Sequence, residues 1–150
     1  MRIVIGADEV LPVATCVVDA VRNRGHEVVL VGPLAGDQME WAEVGYRTAS
    51  LVVGGDGDVG IVLCWSGTGV AIAANKVPGA RAALCADAQT ARLARKYDHA
   101  NLVALSMRLT TPTVAEEILD GFFDEPFGTD DFDTRNVAFL GDHDGRGEDR

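Results

Sequence analysis

Aromatic residues are scarce in this chain. Phe, Trp and Tyr make up 6% of its 150 residues, against 47% hydrophobic residues in all. A core of that make-up is aliphatic and alanine-rich, which suits helices packed on a parallel sheet better than a small β-barrel. Basic residues are also few. Thirteen Lys and Arg stand against 23 Asp and Glu, a formal net charge of −10, and no basic stretch appears; this argues against a nucleic-acid partner. Cysteine is limited to Cys16, Cys64 and Cys85. An odd number without close pairing excludes a disulfide framework and fits a reducing cytoplasm. His26, His99 and His143 have no metal-ligand spacing, and there is no C-x-x-C. No apolar run is long enough to span a bilayer. Met1 to Gly6 leads straight into a strand, without the layout of a signal peptide. The expectation is a cytoplasmic protein that engages neither membrane nor nucleic acid.

Hydrophobic periodicity alternates between two kinds of segment. Ile3-Val4-Ile5, Val28 to Val31, Val59 to Leu63, Ala82 to Cys85 and Leu102 to Leu105 are short apolar runs, the pattern of strands buried on both faces. Helical stripes lie between them. One starts at Val10 and is followed by Gly25, a second covers Met39 to Val53, and a third covers Val70 to Ala74 before Pro78-Gly79. Ala88 to Tyr97 and Pro112 to Phe123 are the last two, with Thr111 as N-cap of the latter. Five strands alternating with helices predict a doubly wound parallel sheet. Residues 124–150 hold nine acidic residues against three Arg and read as a solvated, frayed tail.

Sites in such folds lie beyond the C-terminal ends of the strands, here Asp8, Cys64 to Gly69, Asp87 and Ser106 to Arg108. The turn Cys64-Trp65-Ser66-Gly67-Thr68-Gly69 stands between a strand and a helix. Its glycines let backbone N–H groups face an anion or a developing oxyanion. It is neither a Walker loop nor a dinucleotide fingerprint after the first strand. A thiol at a helix N-terminus can serve as base or nucleophile, but by pattern alone a cysteine at a strand end is more often a small core residue. Asp8 has a similar ambiguity: it can bind hydroxyls or shuttle a proton, or it can cap the helix beginning near Val10. Cys16 and Cys85 read as packing residues.

The block Cys64-x-Ser66-Gly67-x-Gly69-x-x-Ile72-Ala73-Ala74-Asn75-Lys76-Val77-Pro78-Gly79-x-Arg81-Ala82-Ala83 resembles the signature of the type B ribose-5-phosphate isomerase family, which also contains the galactose-6-phosphate isomerase subunits. Gly6-Ala7-Asp8 and the stretch from Asp98 to Arg108 resemble two further motifs of that family, and the likeness runs from Met1 to about Phe127. It implies a Rossmann-like three-layer α/β/α sandwich with a five-stranded parallel sheet over 1–127, and an acidic extension over 128–150 that can cross to a partner subunit. It also implies a homodimer or tetramer, no cofactor and no metal. The implied reaction is aldose–ketose isomerisation of a small sugar or sugar phosphate through a cis-enediolate, with ribose 5-phosphate as the default substrate. One branch of the family uses a cysteine at the position of Cys64 as base; the other uses a glutamate where this chain has Val70. The resemblance assigns Asp8 and Ser66 to catalysis with Cys64. It assigns Gly67, Thr68, Gly69, Asn75, Trp41 and Arg108 to substrate binding.

Several positions depart from the family pattern. Glu9 replaces a phosphate-binding histidine, and a carboxylate there repels a phosphate dianion. Tyr97 replaces the ring-opening histidine, Asp98 follows where asparagine is usual, and His99 comes next. The C-terminal pair of phosphate-binding arginines falls at Phe132 and Asn136, with only Arg135 between them; Glu40-Trp41-Ala42 stands for Asp-Tyr-Pro. Tyr97 and His99 therefore join the catalytic candidates, and Glu9, Asp98 and Arg135 the binding candidates. These changes favour a sugar lacking a terminal phosphate, or with its anion elsewhere. They also fit a catalytically silent sugar-binding paralogue or partner subunit.

Overall fold

The computed structural model describes residues 1–145. Five strands, β1 (Arg2–Ala7), β2 (Glu27–Val31), β3 (Val59–Cys64), β4 (Ala82–Leu84) and β5 (Leu102–Ser106), form one sheet in the order β2-β1-β3-β5-β4. All neighbouring pairs are parallel. Six α-helices join them: α1 (Pro12–Asn23), α2 (Trp41–Val53), α3 (Thr68–Ala74), α4 (Ala88–Asp98), α5 (Pro112–Asp124) and α6 (Asp131–His143). A 3-10 turn covers Gly32–Ala35.

Strand alternation divides the core into two layers. Ile3, Ile5, Ile61, Leu63, Val103 and Leu105 pack with α1, α4 and α5. Val4, Val62, Cys64, Leu102 and Ala104 pack with α2 and α3. The α2–α3 contact is close because Gly45 carries no side chain: a Cβ there would lie 2.6 Å from the carbonyl oxygen of Val70 and 2.8 Å from Cβ of Ala73.

Local chemistry sets the helix ends. Thr111 Oγ1 accepts from the amide of Val114 at 3.3 Å, and Pro112 opens α5. Asp87, a strand-end candidate, is the N-cap of α4. It accepts from the amide and the hydroxyl of Thr90, both at 2.8 Å, and these bonds hold its carboxyl below the usual carboxylate range.

Two expectations require correction. Leu11, not Asp8, stands at the N-cap of α1, and it supplies no side-chain bond; Pro12 starts that helix two residues beyond Val10, so Asp8 is not a cap. The C-terminal stretch is not frayed over its described part. Asp130 caps α6 by accepting from the amide of Phe132 at 2.8 Å, and Asp131 and Asp133 sit in the first turn, where negative charge favours a helix. Glu148 and Asp149 of the acidic extension lie outside the described residues.

Candidate active site

The chain runs from β1 outward to β2, then returns to place β3 on the other side of β1. A crevice opens at such a switch point. Ala7 pairs with Leu63 across it, so the next residues, Asp8 and Cys64, come side by side at the strand ends. Alternation puts Asp8 on the face of Val4, and Cys64 on that of Val62, the α2–α3 side. The thiol of Cys64 is buried.

The turn after Cys64 is anchored to β5. The amide of Met107 donates to the Cys64 carbonyl at 2.9 Å; the amide of Arg108 and the Ser106 hydroxyl donate to the Trp65 carbonyl at 3.0 and 2.9 Å. Gly67 has φ 74°, and a Cβ on it would meet Leu84, Leu105 and the Ser106 nitrogen within 2.9 Å. Both the left-handed backbone and the crowding require glycine. The Gly67 amide donates back to the Cys64 carbonyl at 3.2 Å, and the Thr68 amide to Ser66 Oγ at 3.3 Å. Ser66 keeps its own hydroxyl proton to donate. Because α3 starts at Thr68, the amides of Gly69 and Val70 have no carbonyl one turn back in the helix. These two amides and the Ser66 hydroxyl lie within six residues of Cys64 and are open to donate.

A cavity of about 380 Å³ is lined by Asp8, Trp41, Cys64, Trp65, Ser66, Thr68, Gly69 and Ile72. It brings together Asp8, Trp41, Cys64, Ser66, Thr68 and Gly69 among the expected site residues. Gly69 is glycine for a reason visible here: a Cβ would come within 2.8 Å of the Trp41 indole. Trp65 lies within the candidate turn but has no role assigned from the sequence, and Ile72 is not among the candidates. Trp65 occupies an unspecified position of the quoted motif beside Cys64. Ile72 stands one helical turn after Thr68 as an exposed apolar residue, and that pairing was the available signal.

The site is acidic. An adjoining cavity of about 650 Å³ shares Asp8 and adds Glu40 and Glu43 to Pro33, Gln38 and Met39. No Lys or Arg lines either cavity among the described residues. Asp8 Oδ1 is buried without a hydrogen-bond partner, and burial, with Glu9 adding repulsion, raises its carboxyl above the ordinary value. A raised carboxyl is suited to holding or passing a proton.

The model of the ribose/galactose isomerase family matches residues 3–139. The chain belongs to this family. It is 34% identical over 145 residues to ribose-5-phosphate isomerase B of Mycobacterium tuberculosis, covering 95% of this chain and 90% of that one. It is 34% identical over 129 residues to D-erythrulose-4-phosphate isomerase of Pectobacterium atrosepticum, covering 85% of each. The structure of Clostridium thermocellum ribose-5-phosphate isomerase B superimposes with a TM-score of 0.88 at 34% identity, covering 95% of this chain and 96% of that chain. The sandwich and its five-stranded parallel sheet are therefore the family fold.

The remaining site candidates do not line the Cys64 cavity of their own protomer. His99 ends α4 with φ 48°; its Nε2 lies 2.9 Å from the Gly128 carbonyl oxygen and its ring stacks on Phe127 at 4.6 Å. It closes the end of α4 and does not line the Cys64 cavity of its own protomer. Tyr97 is exposed on α4, with the Lys96 ammonium 5.1 Å from its ring. Asn75 is spent on backbone. Its Nδ2 donates to the carbonyls of Ala71 and Ala82 at 3.0 and 2.9 Å, and its Oδ1 accepts from the amide of Ala82 at 2.8 Å, which ties α3 to β4. Asn75 and Asp98 line a separate cavity of about 450 Å³ bounded by β4, Arg81 and α6. Glu9, Arg108 and Arg135 are exposed. Of the other cysteines, Cys85 is buried with its thiol pushed up to about 12, first by burial, and Cys16 lies on α1. Neither shares the cavity.

Proposed function

We propose that the protein is an aldose–ketose isomerase that moves a proton between C2 and C1 of a small sugar phosphate, with Cys64 as the base. The observation that carries this reading is the meeting of the Cys64 thiol, Asp8 and the glycine turn in one cavity at the β1–β3 switch point. The Cys64 thiolate removes the C2 proton of the open-chain aldose. The C–H pair becomes the C1–C2 double bond, and the carbonyl pair moves onto O1. The Ser66 hydroxyl and the amides of Gly69 and Val70 offer hydrogen bonds to the enediolate oxygens. Asp8 passes the proton between O1 and O2, and Cys64 returns its proton to C1. Atoms and charge balance without a cofactor.

A second reading is an isomerase for an unphosphorylated sugar. It is favoured by the carboxylates Asp8, Glu40 and Glu43 in the two joined cavities, with Glu9 beside them. Incubation with four-, five- and six-carbon sugars, each with and without phosphate, in deuterated water decides between the two by which compounds gain label at C2. Absence of label from all of them supports the silent paralogue instead.

The working unit we propose is a homodimer or tetramer in the cytoplasm, with residues 1–127 as the isomerase domain and the extension from 128 reaching a partner. Helix α6 has no buried residue, yet Phe132 is 65% and Phe139 60% exposed. Such apolar exposure on one helix fits a covered face. Tyr97 and Arg135, which do not reach the Cys64 cavity of their own protomer, are then available to the partner's. Among the described residues no helix is long and apolar enough to cross a membrane.

A further inference from the structure

The chain has two tryptophans, and both line the Cys64 cavity. Trp41 is 47% exposed and Trp65 58% exposed, with Ile72 beside them at 55%. Large apolar side chains left half open around a reactive thiol are an unfinished contact surface. The backbone under Trp65 is fixed, since its carbonyl accepts from the Ser106 hydroxyl and the Arg108 amide. Trp41 is seated against the turn at Gly69. Both indoles therefore have firm bases and free faces. Asp8 and Ser66 bring polar groups into the same cavity, and the carboxylates of Glu40 and Glu43 line the adjoining one.

We infer that Trp41 and Trp65 form an aromatic wall that takes the C–H face of the sugar chain, while the carboxylate side takes its hydroxyls. This deepens the isomerase reading and rests on it for the identity of the ligand class. A small polyol has one edge of hydroxyls and one of C–H groups. Indoles in the cavity wall, with Asp8 and the carboxylates of the adjoining cavity to take hydroxyls, orient it without needing a charge on the substrate. The planar enediolate presents a flat face to an indole, and the apolar wall keeps water from the carbon that is to be protonated. The two tryptophans are thus specificity-determining residues, and they make the affinity depend on the carbon chain as well as on any phosphate.

Because no tryptophan exists outside the cavity, emission excited where tyrosine does not absorb reports on this site alone. Titration with ribose 5-phosphate, erythrulose 4-phosphate, ribose and erythrulose, on wild type, Trp41→Phe and Trp65→Phe, is the test. A saturable change in emission is expected for the preferred sugar, retained in part in each single variant. In Trp65→Ala, KM for that sugar is expected to rise about tenfold with kcat within about threefold, as for an interaction shared by bound substrate and transition state. Trp65→Phe is expected to recover most of the loss, which a merely structural role at an exposed side chain does not explain. Unchanged emission at saturating sugar, together with unchanged KM in Trp65→Ala, overturns the aromatic wall. If label exchange, at C2 of an aldose or C1 of a ketose, is present in those samples, the isomerase reading stands and only the wall fails. If exchange is absent while emission responds, the wall stands as a sugar-binding surface and the isomerase reading fails.

Discussion

At the scale of single residues the proposed reactive centre comes down to two side chains brought level by strand register. Cys64 follows Leu63, and Leu63 pairs with Ala7, which precedes Asp8. Replacing Cys64 by Ala or Ser is expected to lower C2 exchange by about 10²- to 10⁴-fold, the usual share of a positioned base, with little change in the fold; retention of full exchange would mean the thiol is a core residue only. Asp8 bears a stability signature. Burial raises its carboxyl from 3.8, so the folded protein holds that proton more tightly than the unfolded chain. The resulting stabilisation is complete below the unfolded value and is lost as pH rises through the raised one. At about pH 7 the ionised group is therefore a cost. Asp8→Asn is expected to raise the urea midpoint there and to lose that gain at about pH 3, while activity falls. Urea titrations at both pH values check the sign.

At the scale of elements, the site depends on how closely α2 approaches α3, because α2 carries Trp41 and α3 follows the turn. Gly45 makes that approach possible, and Gly45→Ala places a methyl against the Val70 carbonyl and Ala73. The expected cost is about 1–3 kcal/mol, read as a lower urea midpoint, with weaker sugar binding because Trp41 moves with its helix. An unchanged midpoint would show that the helices separate freely. The elements themselves were legible in the sequence, since buried parallel strands and amphipathic helices have different periods. Helix starts were less so. Asp8 is a good capping residue type, but Pro12 decided where α1 begins. Helix α6 escaped because it buries nothing in the protomer, and periodicity detects helices by their buried stripe. In the site, Cys64, Asp8 and the glycine turn were legible from strand ends and motif. The place of the Trp65 side chain in the cavity wall was not, since an exposed side chain next to a buried thiol leaves no periodic trace. The contacts of His99 with the Gly128 carbonyl and Phe127 were not legible either, because they join residues 28 or more positions apart.

At the scale of the whole molecule the excess of negative charge acts on any anionic substrate. With a net charge of −10 and carboxylates lining the cavities, a sugar phosphate approaches against repulsion, which salt screens over about 8 Å at physiological ionic strength. For a phosphorylated substrate, kcat/KM is expected to rise between low and physiological salt; for a neutral sugar it is expected to stay flat. Steady-state kinetics across that range separates the two readings independently of the product analysis. The apolar side chains of α6 belong to the same scale. Phe139→Glu is expected to change protomer stability by less than about 0.5 kcal/mol while shifting light-scattering mass from oligomer to monomer. An unchanged mass would move the interface to another surface. The central claim, proton transfer at C2 by Cys64, is tested most directly by deuterium incorporation from solvent into the sugar panel, with wild type and Cys64→Ala side by side. The expected result is label at C2 of at least one compound with wild type and nearly none with the variant; no label with any sugar, or equal label with both proteins, would contradict it.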